Sequence, residues 1–517
     1  TFAERKPRAM ISPCHGNLPP FALPSNVVYF HDWRYVNPGG YRWVGPDGLK
    51  VPMFTLDPVP SMAYEFRDMP LGIRLGARKP ERSEPVLTPE QNGELAFVTA
   101  NLIHEDGRYR LWYETWPVED FGKPQKVGGF NLLKYAESDD GIDWRFPSLG
   151  IYEREGTKAN NTVFGRDLSP AHGFHGGCVF ADPSAPAAER YKLFHLGSLP
   201  PDDLEAYLRN RPEEVDPFHL HKNPAALFGG VSPDGFGWTP VPEPLVLQTS
   251  DTHNVCEYDP VLQQYVAYCR SWFFNRRTIG RMATADFRRF PLPEELFWPG
   301  PDMAPCDTWY ANGKTRMPGT TDYHVMFPMR WVLTQDTFDF FLATSPDNLV
   351  WSLVPGGPIC EPGLPGRWDG GLVSPGLGLV DLPGDRIGIL VGGSYVPHKH
   401  PRRPPYGALG WAVWPKGRLV ALAAAVEGSF SLWPLRFTGR GVRLNFKTAL
   451  AGFIKVEAWD HEGKCLRGFD ECEALTGNHL DRIVTWNGQT DLGHADGTPV
   501  TLKFQLRSAE LYSVAFA

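Results

Sequence analysis

A short motif, Ser-x-Asp-Gly-x-x-Trp, recurs along the chain and limits the folds that the chain can adopt. Copies lie at 137–144, 231–238 and 344–351, and a degenerate copy at 284–290 carries Phe290 in the tryptophan place. We interpret each copy as a strand end, a tight turn and a new strand, because the Asp caps backbone N–H groups and the Gly or Asn accepts a positive φ. The tryptophan is expected to pack between neighbouring sheets. A recurring unit of this kind predicts a repeat architecture.

The composition agrees with many short strands and excludes several classes of protein. Of 517 residues, 53 are Gly and 51 are Pro, and long helical patterns are scarce, with one short helix expected near 202–209. The net charge of −8 and the lack of a Lys/Arg run argue against nucleic-acid binding. No apolar run approaches the ~20 residues of a membrane span. The eight Cys form no C-x-x-C pair, and Cys178 and Cys269 are predicted to be buried free thiols.

From about residue 80 the chain repeats a unit five times. Each unit has a polar or acidic cluster, a strand, a turn and a second strand that ends in aromatic residues, and the Ser-x-Asp-Gly-x-x-Trp copies fall between units. Five such sheets around an axis make a five-bladed β-propeller. We therefore predict an all-β chain with an N-terminal extended arm packed on the propeller (1–78), a five-bladed β-propeller catalytic domain (79–426) and a C-terminal β-sandwich (427–517).

The first strand of each predicted unit begins at an acid or a histidine. These entry residues are Glu94, His175, Asp251, Asp307 and Asp369. In a propeller they converge on the central funnel, and paired carboxylates suit glycosidic bond cleavage, with one ionised and one held protonated by its neighbours. Aromatic residues beside them are candidates for stacking on sugar faces: Trp272, Trp309, Tyr310 and Trp368. The alternative is that each Asp only caps its own strand or turn.

Histidines and arginines near the entry residues leave two further alternatives open. His172, His175, His253 and His398 are candidates for a divalent metal site or, singly, for a Brønsted base, although no metal spacing motif is present. Arginines are candidates for binding a substrate carboxylate, or for neutralising the acids around them: Arg270, Arg330 and Arg367.

Several stretches resemble the five-bladed propeller glycoside hydrolases of families 32 and 43, and in particular bacterial family 32-like proteins with a C-terminal β-sandwich. The resemblance rests on 135–144 with 160–163, on Asp251-Thr252-His253-Asn254, and on Arg367-Trp368-Asp369. It covers roughly residues 80–517 and implies action on a fructoside, arabinoside or related glycoside. Three sequence motifs of family 32 are absent: the nucleophile motif, the Arg-Asp-Pro motif and the Glu-Cys motif. Glu94 stands in the first unit where an Asp is usual, and Cys256-Glu257 has the reverse order of the Glu-Cys motif.

We therefore expect an exo-acting glycosidase that degrades an oligo- or polysaccharide. The predicted catalytic residues are Glu94 and Asp307, supported by Asp251 and Asp369, and the predicted substrate-binding residues are His175, His253, Trp309, Tyr310, Arg270, Trp368 and His398. A uronate lyase using His or Tyr, and a non-catalytic sugar-binding propeller, are the alternatives.

The same analysis sets expectations for cofactors, partners and compartment. No cofactor is required in this prediction, with a divalent metal at the histidines as the alternative. The expected partner is a carbohydrate, with neither nucleic acid nor membrane, and the N-terminal arm could join two subunits. The chain begins at Thr1 without a Met or a signal-peptide pattern, so either a leader has been removed or the sequence has been trimmed, and the compartment stays open; a secreted or periplasmic protein with its leader removed is the alternative that we favour.

Overall fold

A computed structural model describes residues 18–92, 97–116, 131–154, 156–165, 173–217, 220, 224–401 and 406–517. The chain forms two compact units. The central unit comprises Lys79–Leu353 and Gly357–Lys416, and the terminal unit comprises the residues up to Arg78, Val354–Gly356 and Gly417–Ala517. No helix of the described residues is long and apolar enough to cross a membrane.

The structure is almost entirely β. In residues 18–78 the strands are β1 (Phe21–Ala22), β2 (Val27–Tyr29), β3 (Gly40–Val44), β4 (Ala63–Arg67) and β5 (Arg74–Ala77). In the central unit they are β6 (Glu81–Leu87), β7 (Phe97–Glu105), β8 (Arg108–Thr115), β9 (Leu132–Ser138), β10 (Thr162–Gly165), β11 (His175–Ala181), β12 (Tyr191–Ser198), β13 (Ala225–Ser232), β14 (Thr239–Pro240), β15 (Val255–Asp259), β16 (Gln264–Phe273), β17 (Arg276–Thr284), β18 (Glu294–Phe297), β19 (Thr308–Ala311), β20 (Lys314–Arg316), β21 (His324–Met326), β22 (Met329–Val332), β23 (Thr337–Phe340), β24 (Ala343–Ser345), β25 (Ser352–Leu353), β26 (Leu372–Pro375), β27 (Val380–Leu382), β28 (Arg386–Ser394) and β29 (Ala408–Pro415). The last residues form β30 (Val420–Ser431), β31 (Leu435–Arg436), β32 (Val442–Asp460), β33 (Cys465–Arg467), β34 (Asn478–Ile483) and β35 (Val500–Phe516).

Among the described residues, helical structure occurs in short segments of the central unit. The helix α1 spans Pro201–Asn210, at the place where the sequence predicts one, and single 3₁₀ turns lie at Pro89–Asn92 and Ala187–Glu189. Pro201 begins α1, since the first helical position needs no N–H donor, and Asp202 and Asp203 lie in the first turn, where negative charge is favourable.

Antiparallel sheets follow one another along the central unit. The first three have the strand orders β7-β8-β9-β10, β11-β12-β13-β14 and β15-β16-β17-β18, so each is a meander of consecutive strands. The fourth is divided into β19-β22-β23 and β20-β21-β24-β25. The division falls at Gly313, which has φ +55°, and at Pro328, which lacks the N–H that a continuous ladder would use.

The fifth sheet joins the two ends of the central unit. Its order is β26-β28-β29-β6, with β27 also paired to β28. The strand β6 pairs antiparallel with β29, Leu87 opposite Leu409 and Glu81 opposite Val413. The first strand of the unit therefore completes its last sheet.

The first strands of neighbouring sheets, with the loops that enter them, contact one another in a cyclic order. The Val179 N–H donates to the side chain of Asn101, the Asn254 N–H to the Gly176 carbonyl at 2.8 Å, the Asn312 amide to the His253 carbonyl at 2.8 Å, and the Leu379 N–H to the Thr315 hydroxyl at 2.9 Å. The Leu102 N–H donates to the Leu377 carbonyl at 2.8 Å and joins the first sheet to the fifth. Buried clusters of Leu, Val and aromatic side chains fill the spaces between the sheets.

The Ser-x-Asp-Gly-x-x-Trp copies have the predicted turn geometry. Asp140 Oδ1 accepts the N–H groups of Ile142 and Asp143 at 2.8 and 2.9 Å, and Gly141, Gly235 and Asn348 have positive φ. The structure adds a contact that the sequence did not predict, since the carbonyl after each Asp accepts a bond from an aromatic side chain of another sheet. The donor–acceptor pairs are Trp411–Gly141 and Trp112–Gly235, at 2.7 and 2.9 Å, and at the third copy the Tyr268 hydroxyl lies 2.6 Å from the Asn348 side-chain oxygen and 3.1 Å from its carbonyl.

The terminal unit is organised around β35. This strand pairs with β2, β30, β31 and β32, while β1 pairs with β31 and β5 pairs with β30. The N-terminal arm thus supplies strands to a sheet made by the other end of the chain, a pairing that the sequence did not indicate. The predicted boundary at 426/427 falls inside β30, which runs continuously from Val420 to Ser431.

Candidate active site

Four ionisable side chains from three successive sheets form one chain of contacts. His175 Nδ1 lies 2.7 Å from Glu114 Oε1, and His175 Nε2 lies 2.8 Å from Asp251 Oδ1. The other oxygen of Asp251 accepts a bond of 2.6 Å from Arg270 Nη1. Charges therefore alternate along Glu114, His175, Asp251 and Arg270, and each carboxylate lies beside a cation. We call these four residues the charge chain.

Local backbone geometry explains how the second and third sheets approach so closely. His175 is the first residue of β11, where the register with β12 shifts, and Gly176 follows with φ +57°. A Cβ at Gly176 would lie 2.5 Å from the Asp251 carbonyl oxygen, so only glycine permits this approach. The Gly176 N–H donates to Glu114 Oε2 at 2.7 Å, and the Asn254 amide donates to the carbonyls of Gly176 and Asp251 at 3.0 and 2.8 Å.

The charge chain sets the protonation state of its members. Burial alone would disfavour the charged imidazolium, but Glu114 and Asp251 raise the pKa of His175 to about 10. Burial would also raise the pKa of Asp251, yet Arg270 and protonated His175 hold it well below its ordinary value. Near pH 7 His175 is therefore a cation and Asp251 an anion. His253 differs, because burial and the nearby Arg270 lower its pKa to about 4 and keep its ring neutral.

The two carboxylates of the charge chain differ in how much of each side chain is exposed to solvent. The side chain of Glu114 is 0% exposed, that of His175 is 18% exposed, and that of Asp251 is 40% exposed. Asp251 is thus the carboxylate that a substrate can reach, while Glu114 holds His175 from behind. Both ring nitrogens of His175 face carboxylates, so this imidazole has no nitrogen left for a metal ion.

Aromatic residues and a second arginine lie next to Arg270. The Arg270 guanidinium carbon is 4.2 Å from the ring centroid of Tyr310, and Arg270 Nη2 donates to the Tyr310 carbonyl at 2.9 Å. The Tyr310 hydroxyl lies 3.1 Å from His398 Nε2. Arg277, the second residue of β17, lies against the same tyrosine ring, with its guanidinium carbon 5.6 Å from the centroid.

The structure thus joins His175, Asp251, Arg270, Tyr310 and His398, with His253 close to them. Three other predicted residues have different surroundings. Asp307 accepts the Leu333 N–H at 3.1 Å, and Asp369 is fully buried and paired with Arg82 at 2.6 Å. Trp309 is buried in the cluster between the third and fourth sheets, which leaves its face covered by protein.

Three further predicted residues are not placed beside the charge chain. Trp368 lies close to the glycines of the fifth sheet, since a Cβ at Gly393 would be 2.4 Å from its ring. Glu94 and His172 lie outside the described residues.

Sequence reasoning missed Glu114 and Arg277. Glu114 follows the aromatic run of β8 and is an acid in a strand whose neighbours are buried, and that is the signal that could have found it. Arg277 stands beside Arg276 in a segment without an apolar pattern, so nothing in the sequence distinguishes one arginine from the other.

A second polar cluster holds the only group of potential metal ligands found among the described residues. Glu257, Asp259 and His324 offer ligand atoms within 4.8 Å of one another. Lys314 Nζ is bonded to Glu257, and Arg316 Nη2 lies 3.3 Å from the other oxygen of Glu257. The two cations balance the two carboxylates, so the cluster is neutral as it stands.

No family model matches the chain, and no curated protein matches it. Solved structures with similar folds include a Bombyx mori family 32 β-fructofuranosidase (10% identity, 85% of this chain and 93% of that chain, TM-score 0.39). They also include a Coprinopsis cinerea family 62 α-L-arabinofuranosidase (13% identity, 65% of this chain and 97% of that chain, TM-score 0.40). An N-acetylgalactosamine deacetylase from F. plautii is a further example (11% identity, 66% of this chain and 95% of that chain, TM-score 0.41). Each TM-score is below 0.5.

Proposed function

We propose that this protein is a glycoside hydrolase in which Asp251 is the ionised carboxylate that faces the scissile glycosidic bond. The observation that carries the proposal is the charge chain, which keeps one partly exposed carboxylate charged between Arg270 and protonated His175. Cleavage of a glycosidic bond passes through an oxocarbenium-like state, and a fixed negative charge beside it lowers the barrier.

The five sheets of the central unit are, in this proposal, the blades of a five-bladed propeller. The cyclic contacts of the first strands and the closure of the fifth sheet by β6 support this arrangement. A propeller brings the entry of each first strand to one funnel, which agrees with the approach of His175, Asp251 and Tyr310 from three different sheets. A funnel also suits an exo-acting enzyme, because a chain end enters it more easily than a chain middle.

The chemical roles follow from the charges. Asp251 has a pKa held too low for an efficient Brønsted base, and its fixed charge suits nucleophilic attack or stabilisation of the sugar cation. Glu114, His175 and Arg270 are positioning residues that orient Asp251. The proton donor to the leaving oxygen is, in this proposal, Glu94, the other main catalytic acid that the sequence predicts, because Asp307 accepts the Leu333 N–H and is not part of the charge chain.

The lyase alternative is weaker because of the protonation and burial of the candidate histidine bases. His175 is already protonated near pH 7 and cannot abstract a proton, and His253 is buried. The three arginines that the sequence proposes for a substrate carboxylate each pair with an acid of the chain, Arg270 with Asp251, Arg330 with Asp339 and Arg367 with Asp369, so a substrate carboxylate would need another cation.

A screen of fructosides, arabinosides, rhamnosides and uronides with product analysis tests this function. We expect a hydrolysed, saturated monosaccharide product from the wild type, and a loss of kcat of at least ~100-fold in Asp251→Asn. Glu294→Gln is the matched control, since it neutralises an exposed carboxylate on β18. An unsaturated product that absorbs in the ultraviolet would mean a lyase, and sugar binding without turnover would mean a binding protein.

A further inference from the structure

Arg277 has a guanidinium group without a carboxylate partner among the described residues, and it lies beside the charge chain. Its guanidinium carbon is 5.3 Å from the ring centroid of Trp272, 5.6 Å from that of Tyr310 and 5.3 Å from that of Trp331. Its Nε is buried and has no hydrogen-bond acceptor within the described part of the chain. Three aromatic rings therefore hold the cation in place, while its hydrogen-bonding edge meets no acceptor in the part of the chain that the structure describes.

The charge balance of the site makes this arginine unusual. The charge chain contains two anions, Glu114 and Asp251, and two cations, His175 and Arg270, and is neutral. Arg277 adds a positive charge that no carboxylate of the described residues pairs with. Burial and the nearby Arg270 lower the pKa of Arg277, but an arginine stays charged at any physiological pH. Lys399 Nζ, 5.6 Å from the centroid of Trp331, adds positive potential on the same ring.

From these contacts we propose that Arg277 binds an anionic group of the substrate, so that the proposed hydrolase acts on a negatively charged glycan. Guanidinium groups bind carboxylates and sulfates through two parallel hydrogen bonds, and aromatic walls strengthen such bonds by excluding water. Tyr310 contacts both Arg270, which holds Asp251, and Arg277. An anionic group bound by Arg277 would therefore lie on the same side of the site as Asp251. This inference rests on the proposed function for the identity of the bound molecule as a glycan.

The test compares matched pairs of aryl glycosides that differ only in the oxidation of C6, a uronide and its neutral hexoside. We expect Arg277→Gln to lower kcat/KM for the uronide by roughly 50-fold or more, with the neutral hexoside changed less than about twofold. Arg277→Lys is expected to recover part of the loss, and added salt to weaken only the anionic substrate. A 6-sulfated hexoside in the same series distinguishes a sulfate subsite from a carboxylate subsite.

The control is Arg288→Gln, which removes one positive charge from an exposed pair with Glu189 in the turn after β17. Equal losses on charged and neutral substrates in Arg277→Gln would overturn the proposal and assign Arg277 a structural role. If the wild type cleaves nothing, the proposed function fails, and calorimetric titration with a uronate disaccharide still decides the subsite. Binding of that disaccharide to the wild type and not to Arg277→Gln would support it, whereas no binding to either protein would overturn it.

A separate surface of the terminal unit carries a second inference. The strands β3 and β4 pair with each other and with no other strand of the described residues. Their register places Tyr41 opposite Phe66 and Trp43 opposite Tyr64, so four aromatic side chains share one face, each 40 to 65% exposed. The opposite face carries the ion pair of Arg42 and Glu65, at 2.6 Å. We call β3 and β4 with the connecting residues 45–62 the aromatic ribbon.

The size and shape of this face indicate what kind of molecule binds to it. The connection adds Leu49, Met53, Phe54, Leu56 and Met62, and Phe54 and Leu56 are 89 and 99% exposed. With roughly 150–250 Å² for each large side chain, these residues present on the order of 1,000 Å² of apolar surface, more than the ~800 Å² that each partner gives to a standard interface. Neighbouring rings are inclined by 44 to 85°, which makes a ridged surface and not the flat platform on which a sugar stacks.

We infer that the aromatic ribbon binds the aromatic ribbon of a second copy of this chain. The four aromatic side chains of β3 and β4 carry no charge, so two copies with a net charge of −8 each can meet through these side chains without like charges in contact. An isolated two-stranded ribbon is marginally stable in water, and pairing would cover the face that it exposes.

Sedimentation velocity over a wide concentration range tests this inference. The wild type is expected to be a dimer, and the double variant Trp43→Ser with Phe66→Ser a monomer with an unchanged circular dichroism spectrum. Leu364→Ser, an exposed apolar residue of the central unit, is the control and should remain dimeric. A monomeric wild type, or a dimer that survives the double substitution, would overturn the inference. A wild type that dimerises only after removal of residues 1–17 would show that its own N-terminus covers the ribbon, and would also overturn it.

Discussion

At the scale of single residues, His175 links protonation to the geometry of the site. Its imidazolium donates to Glu114 on one side and to Asp251 on the other, and these carboxylates belong to different sheets. Loss of the proton would leave two carboxylates without the cation between them. The charge of His175 is therefore needed both to orient Asp251 and to hold the first, second and third sheets together.

This gives a pH dependence of stability with a definite sign. The pKa of His175 is about 10 in the folded protein and ~6.5 in an unfolded chain, so the stabilisation is fully present below pH ~6.5 and is lost as the pH rises towards 10. We expect the wild type to lose up to about 5 kcal/mol of unfolding free energy over this interval. Denaturant unfolding at several pH values measures it, and His175→Gln should remove most of the slope. A slope that is the same in wild type and variant would contradict this assignment.

At the scale of elements, the repeated turn connects the sheets as well as reversing the chain. Asp and Ser side chains bond the turn internally, which is local and follows from the motif. The aromatic N–H or O–H that reaches the carbonyl of Gly141, Gly235 or Asn348 comes from another sheet. Each turn therefore accepts a hydrogen bond from a side chain of another sheet, and this contact depends on the tertiary structure.

The bond from Trp112 to Gly235 provides a test. Trp112→Phe leaves the buried Gly235 carbonyl without its donor and removes part of a side chain that is 1% exposed, and we expect a loss of about 2–4 kcal/mol. Trp298→Phe, at an exposed tryptophan, should change stability by less than ~0.5 kcal/mol. Guanidinium unfolding followed by fluorescence and by circular dichroism compares the two. Equal effects would mean that the turn contact contributes nothing specific.

At the scale of the whole molecule, the first strand of the central unit belongs to the last sheet of that unit. The strand β6 is the fourth strand of the last sheet, and Leu87 at its end is fully buried among side chains of the first and fifth sheets. Strand pairing across the full length of a unit is expected to form late in folding, because the loop that it closes is long.

Leu87→Ala therefore tests the closure. We expect a loss of about 2–5 kcal/mol, with amide hydrogen exchange accelerated in both 81–87 and 408–415, because the two strands form one ladder. Val261→Ala, at an exposed position of the third sheet, is the control. Faster exchange confined to 81–87 would show that β6 frays by itself and does not close the unit.

Local chemistry explains which features could be predicted. The turn copies, the helix at Pro201–Asn210, and the buried thiols Cys178 and Cys269 all follow from residues close in the sequence. The pairing of the N-terminal arm with β30, β31 and β35 could not be predicted, since strands of similar apolar pattern occur throughout the chain and nothing local selects a partner. For the same reason the aromatic alternation of β3 and β4 did not reveal that their shared face is uncovered.

The amino-acid sequence by itself determined the all-β class, the repeated turns and the presence of His175 and Asp251 at strand entries. It did not determine which side chains meet, because contacts between sheets depend on register and on close backbone approaches such as that at Gly176. Tertiary structure decided that Glu114 lies behind His175, that Asp369 pairs with Arg82, and that Arg277 has no carboxylate partner among the described residues. Burial and neighbouring charge set what each of these groups can do, and both are properties of the folded chain.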